Sequence, residues 1–205
     1  MKNSNYNGLC NFNEIMYDLN ENDIIINPNN IKLLNIFKKV SKDSITTIFK
    51  GRAFNINTND KRLLNSKKGN KDKLCYVSVK QSKDRKMYIN DLVLENKQKS
   101  FKVISPTAVK GAYSGFDKLF ILNENEVHSD SYVSFFIKNR KEAESLKTYL
   151  NTKIVNKLLS IRKVSQTISK DTCKYILLVP FDRVWTDEKI CKYFDLDYNK
   201  ISKML

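Results

Sequence analysis

The feature that most limits how this chain can fold is an apolar repeat in its last third. Leu146, Leu150, Ile154 and Leu158 recur every four residues, and Ala143, Val155 and Ile161 widen the same stripe. That spacing puts the apolar side chains on one face of a helix. Asn139 ahead of it is a good N-cap, and Glu142 three residues on completes a capping-box arrangement. One long helix is therefore expected from about residue 140 to Arg162 and Lys163. Directly before it, the run from Ser131 to Ile137 is rich in aromatic and β-branched residues and reads as a strand. A helix with one apolar face must bury it against another layer.

The remaining pattern supplies one. Leu74 to Val79 and Met87 to Ile89 alternate, with a hairpin-like connection between them. Phe101 to Ser105 is a strand stopped by Pro106, and Leu119 to Leu122 is another. Asp23 to Asn27 reads as a short buried strand ended by Pro28, and Tyr175 to Val179 as a further strand. Asn30 can cap a helix from Ile31 to Val40, with Leu33, Leu34, Phe37 and Val40 on one face. Thr186 caps a last helix, with Asp187 and Glu188 in its first turn, where the dipole favours acids. The expected architecture is α+β: a mixed, curved β-sheet with one long packed helix and a short C-terminal helix. Trp185 is expected to anchor that closing helix by packing. Residues 1–22 form an N-terminal arm or junction segment, and residues 23–205 one domain.

Charge points to the partner. The net charge of +15 is uneven. Residues 1–29 sum to −3, residues 30–110 to +14 and residues 111–205 to +4. Such a balance favours a polyanion, nucleic acid before membrane, although the abundance of Asn, Lys and Ile also reflects AT-rich coding. No apolar run reaches the roughly 18–20 residues needed to span a bilayer. The four cysteines form no CxxC, and His128 is the lone histidine. No zinc site is expected, free thiols suit a reducing cytosol, and His128 reads as structural. Neither GxGxxG nor GxxxxGK[ST] occurs.

The candidate contacts are basic and polar. Ten Lys and Arg against two Asp lie between Lys61 and Lys86; Lys67, Lys68 and Lys71 on an exposed turn would give sequence-independent affinity for phosphates. Arg52 and Arg62 can bind guanine or phosphate bidentately. Lys110 and Tyr113 sit in a glycine-bounded loop able to approach a groove. Past the long helix, Arg162 and Lys163 either complement its dipole or hold phosphates. Ser165 and Gln166 follow, and Gln is the bidentate partner of adenine. A weaker enzymatic pattern, Asp84 with Glu95 and Lys97, has the outline of a Mg²⁺-dependent nuclease.

The stretch "SYVSFFIKNRKEAESLKTYLNTKIVNKLLSIRKVSQTISKDTCKYILLVPFDRVWTDEKICKYFDLD" resembles the C-terminal target-recognition region of adenine-specific DNA methyltransferases of restriction–modification systems, including those fused to a nuclease. The likeness rests on Glu142-Ala-Glu144, Tyr149 with Thr152 and Lys153, Arg162-Lys163 with Gln166, Val179 to Asp182, and Trp185-Thr-Asp-Glu-Lys189. It extends over about residues 23–198, with Ile190-Cys191 replacing a Leu-Tyr pair. Those enzymes bind S-adenosylmethionine in a preceding domain with an Asn/Asp-Pro-Pro-Tyr/Phe motif. Here Pro28, Pro106 and Pro180 are not adjacent, and the sequence starts about where the catalytic domain would end. The resemblance implies a DNA-binding sequence-recognition domain or subunit acting on double-stranded DNA in the cytoplasm. It would not be catalytic alone and would have no cofactor in this chain, S-adenosylmethionine being bound by a separate catalytic domain, either a partner subunit or the other part of a split gene. The alternatives are a stand-alone nucleic-acid-binding regulatory protein or a small Mg²⁺ nuclease.

Overall fold

After a first helix the remaining strands come in one run and the other α-helices follow, broadly in the order that the periodicities suggest, but the sheet is divided in two. A computed structural model describes residues 9–12, 15–18, 28–80, 83–109, 115–163 and 165–205. The strand expected over residues 23–27 lies outside the described residues. Strands β1 (Leu9–Phe12) and β2 (Ile15–Asp18) pair antiparallel within the N-terminal segment, Leu9 opposite Asp18. Helix α1 (Pro28–Val40) starts two residues before Asn30. Pro28 suits that place because its fixed φ is helical and its missing N–H would have no helical acceptor.

Strands β3 (Phe49–Gly51), β4 (Leu63–Leu64), β5 (Lys73–Lys80) and β6 (Lys83–Ile89) follow, then β7 (Phe101–Pro106), β8 (Phe120–Leu122), β9 (Val127–His128) and β10 (Tyr132–Ile137). They form two four-stranded sheets, ordered β3-β10-β7-β8 and β4-β6-β5-β9. The first is antiparallel throughout, with Tyr132 opposite Pro106 and Ile137 opposite Phe101. The second is mixed, because β9 runs parallel to β5. The α+β class holds, with two sheets in place of the single curved one expected. The division follows from burial on both sides of the central strand. Val133, Phe135 and Ile137 face the main core with the helices, while Tyr132 and Phe136 pack into smaller clusters towards the second sheet. A strand covered on both faces reads as a near-continuous apolar run, as this one does apart from Ser134.

The expected long helix is two helices, α2 (Arg140–Leu150) and α3 (Lys153–Arg162). Thr152 takes an extended conformation between them, accepts from Val155 N (3.4 Å) and donates its hydroxyl to Tyr149 O (2.8 Å). Asn and Thr are weak helix formers and good caps. The four-residue repeat runs through the break because Leu146, Leu150, Ile154 and Leu158 all enter one core. At the start of α2, Asn139 Oδ1 accepts from Glu142 N at 2.9 Å, as the capping pattern implies.

Residues Tyr175 to Val179 do not form a strand. The chain turns through residues 170–175, and Leu177 makes one bridge to Ser44. Ile45 N donates to Ile176 O (2.9 Å) and Tyr149 Oη to Leu177 O (2.8 Å), which pins the segment without placing it in a sheet. Beyond it come α4 (Asp187–Tyr193) and α5 (Tyr198–Ser202). Thr186 caps α4 by accepting from Lys189 N (3.2 Å). Asp187 also reaches the first turn of α3, where it accepts from Ile154 N at 2.8 Å, a charge-complementary place for a carboxylate. Trp185 is buried, donates Nε1–H to Pro180 O (3.1 Å) and meets Tyr149 and Tyr193 edge-on. No helix among the described residues is long and apolar enough to cross a membrane.

Candidate nucleic-acid interface

Three of the segments singled out in the sequence meet at one end of the first sheet. β3 ends at Gly51, whose φ of +58° suits glycine and turns the chain out of the sheet. Ser134 Oγ donates to Gly51 O (3.0 Å) and fixes that turn, so Arg52 emerges from a held position. Past the end of β7, Ile168 N donates to Thr107 O (2.8 Å) and Val109 N to Gln166 O (3.1 Å), and Ala108 bridges Thr167. The loop after α3 is thus strapped to the stem of the segment that carries Lys110 and Tyr113. Those two residues themselves lie outside the described residues. Ser165 Oγ accepts from Thr167 N (3.2 Å), a local turn that leaves Ser165 and Gln166 exposed. Between the two walls is a cleft of about 210 Å³ lined by Arg52, Thr107, Thr167, Ser169 and Lys170, over Val133 and Ile168.

The arginines separate by what already occupies their guanidinium groups. Arg62 is bidentate to Asp60, at 3.0 Å and 2.7 Å, and this contact holds the Asp60 carboxyl below its usual range. Arg162 is buried, bidentate to Asp171 at 3.0 Å and 2.8 Å, and lies over the Tyr175 ring at 5.5 Å. Arg140 and Arg183 pair with Glu144 and Asp182. Arg52 is exposed and makes no ion pair among the described residues. Lys163 is fully buried, and its pKa is pulled down by desolvation. Arg162 and Lys163 are therefore buried rather than presented at the surface, and Arg162 ties down the loop at Asp171. Arg162→Ala should lower unfolding free energy by about 2 kcal/mol, through lost packing and charged hydrogen bonds rather than through an abandoned buried charge, because Asp171 stays solvated. Urea titration of the variant checks this, and a loss under about 0.5 kcal/mol, the level of an ordinary surface change, would count against it.

The basic turn lies elsewhere. Asp72 closes it, accepting from Lys68 N (2.7 Å) and Gly69 N (2.8 Å), and those N–H groups hold its carboxyl below the usual range. Lys67, Lys68 and Lys71 project from it, exposed. Lys71 lines a wider, separate cleft of about 800 Å³ with Lys73, Lys99 and Val93. None of the three lines the Arg52 cleft.

The catalytic alternatives find different surroundings. His128 is 1% exposed, with Nδ1 2.9 Å from Ser129 O; burial pushes its pKa down to about 4, so it is neutral and packed on Phe54. Glu95 and Lys97 pair with each other (2.7 Å) at a short 3₁₀ turn, which Glu95 caps. The side chain of Asp84 lies outside what is described. Lys102 is buried, donates to the carbonyls of Asn123, Glu124 and Glu126 at 3.2, 2.8 and 3.1 Å, and has its pKa lowered to about 8 by burial. The sequence did not mark Lys102 as a core residue, nor Lys170 and Thr107 as cleft residues. Only the pairing of residues 107–109 with residues 166–168 brings the last two together. No protein-family profile and no characterised protein matches the chain.

Proposed function

We propose that this chain is a DNA-recognition domain or subunit of a restriction–modification adenine methyltransferase system, acting on double-stranded DNA in the cytoplasm with catalysis supplied by a separate subunit. The observation that carries this reading is the strapped loop. Gln166, an exposed side chain able to bond adenine bidentately, has its own carbonyl held by Val109 N. A base contact needs a fixed origin so that the side chain reaches one position and no other, and that hydrogen bond supplies one. The +14 charge of residues 30–110 adds the sequence-independent attraction. S-adenosylmethionine would be bound by the partner, as no Gly-rich turn or Pro-Pro motif in this chain would hold it.

The test is a selection on random duplex DNA, followed by affinities for the selected site and a scrambled duplex at one salt concentration. Gln166→Ala should relax preference at one position, weakening the selected site by about 1–3 kcal/mol and the scrambled duplex little. Equal losses on both, or none, would remove Gln166 as a reader. Absence of duplex binding at low salt would overturn the whole assignment.

A further inference from the structure

We infer that the cleft between Arg52 and Lys170 seats a single backbone phosphate of the bound duplex, and so sets the register from which Gln166 meets its base. The inference rests on the function proposed above and gives the cleft beside its reading loop a specific occupant.

The lining is the chemistry that phosphodiesters select. Arg52, Lys170 and the hydroxyl-bearing Thr107, Thr167 and Ser169 line it together. Phosphate oxygens are contacted by Arg, Lys, Ser and Thr in this way. A bidentate guanidinium matches two phosphate oxygens, while an ammonium acts as a point charge. No carboxylate among the described residues lines the cleft. That distinguishes it from the 800 Å³ cleft, where Asp72, Asp91 and Glu126 stand among the lysines. It also sets Arg52 apart from Arg62 and Arg162, whose forks are filled by aspartates.

The walls are rigid where a seat needs them rigid. Gly51 is held by Ser134, and the opposite wall is tied by Ile168 N to Thr107 O and braced by the Ser169–Thr172 pair, with Thr172 Oγ1 accepting from Ser169 N at 2.8 Å. Asp171, next to Lys170, is paired with Arg162, which also bonds its backbone carbonyl. The buried arginine thus acts as a positioning residue for the exposed lysine. Gln166 lies one residue before Thr167, on the same strapped segment. A phosphate fixed in the cleft would therefore fix the distance from backbone to base edge.

The experiment measures duplex affinity against salt for wild type, Arg52→Gln, Lys170→Gln, the double variant and Lys203→Gln, the last an exposed cation near the C-terminus. Thermal melts of all variants check the fold, which should be unchanged because the altered side chains are exposed. Removing both cleft cations should reduce the slope of log affinity on log salt by about one phosphate contact, and each single substitution by no more than that. The loss should be the same on selected and scrambled duplex. Arg52→Lys should keep the slope and still bind more weakly, because it retains the charge and lacks the fork. Lys203→Gln should leave the slope nearly unchanged. If wild type binds duplex and the double variant keeps its slope, the seat is wrong while the proposed function stands. A loss confined to the selected duplex would make Arg52 or Lys170 a base reader and overturn the phosphate assignment. If wild type binds no duplex at low salt, both fall together.

Discussion

Trp185→Ala should lower the unfolding free energy by about 3–5 kcal/mol, the range for emptying a large aromatic site. The indole is 3% exposed and stands where three parts of the chain meet. Its N–H is bonded to Pro180 O, its own backbone N–H to Thr148 Oγ1 of α2 (2.9 Å), and its ring is edge-on to Tyr149 and to Tyr193 of α4. Removal therefore opens a cavity and leaves the Pro180 carbonyl without its donor. Trp185→Phe keeps part of the packing and should recover about half of the loss. Because this is the single tryptophan, unfolding of the variants is followed by circular dichroism in urea. Under conditions where the variant stays folded, its affinity for duplex should equal wild type, as Trp185 lines no part of the Arg52 cleft. A loss below about 1 kcal/mol would show that α4 closes the core without it.

Gly115→Ala should be nearly as damaging, at about 3 kcal/mol, from overpacking plus broken hydrogen bonds. A Cβ at this position would lie 1.9 Å from Asn156 Oδ1, 2.3 Å from its Cγ and 2.5 Å from its Cβ. Asn156 has little freedom to yield. Its Oδ1 accepts from Phe116 N (2.6 Å), and its Nδ2 donates to Leu150 O (3.1 Å) and Thr152 O (2.8 Å) across the break between α2 and α3. The pairing can be tested by rescue. Asn156→Ala leaves the clashing Cβ in place and should not relieve the strain. Asn156→Gly removes it, and in that background Gly115→Ala should cost under about 1 kcal/mol, a coupling that a double-mutant cycle reads directly. Equal costs in both backgrounds would mean that the clash is absorbed by the backbone instead.

What the sequence made legible was mostly local. Leu33, Leu34 and Phe37 marked α1 because three- and four-residue spacing is a property of one element. Asn139 and Thr186 marked helix starts because a cap bonds its own next turn. The apolar Tyr132–Ile137 run marked a strand, but not that its two faces serve different cores, since that depends on partners from distant segments. The break at Thr152 was hidden by an apolar repeat that continues through it, although Asn151-Thr152 carried the propensity for it. In the candidate site, Arg62 beside Asp60 was a visible pair two residues apart, whereas Arg162 meets an aspartate nine residues on only because residues 170–175 turn back. Charge type could be read from the letters; charge availability could not, because it is set by which acids the fold delivers to each guanidinium.

The Asp72-closed turn carries a consequence for how such a protein changes over generations. Its ends are tied by a carboxylate inside the turn itself, and Lys67, Lys68 and Lys71 point away from every packed cluster. Their number can rise or fall without altering a buried contact. On the proposed function, overall grip on DNA is then adjustable by substitutions that leave the fold and the Gln166 loop untouched. If the proposed function holds, a lineage facing a different ionic environment could retune affinity at this turn while keeping the site that Gln166 reads.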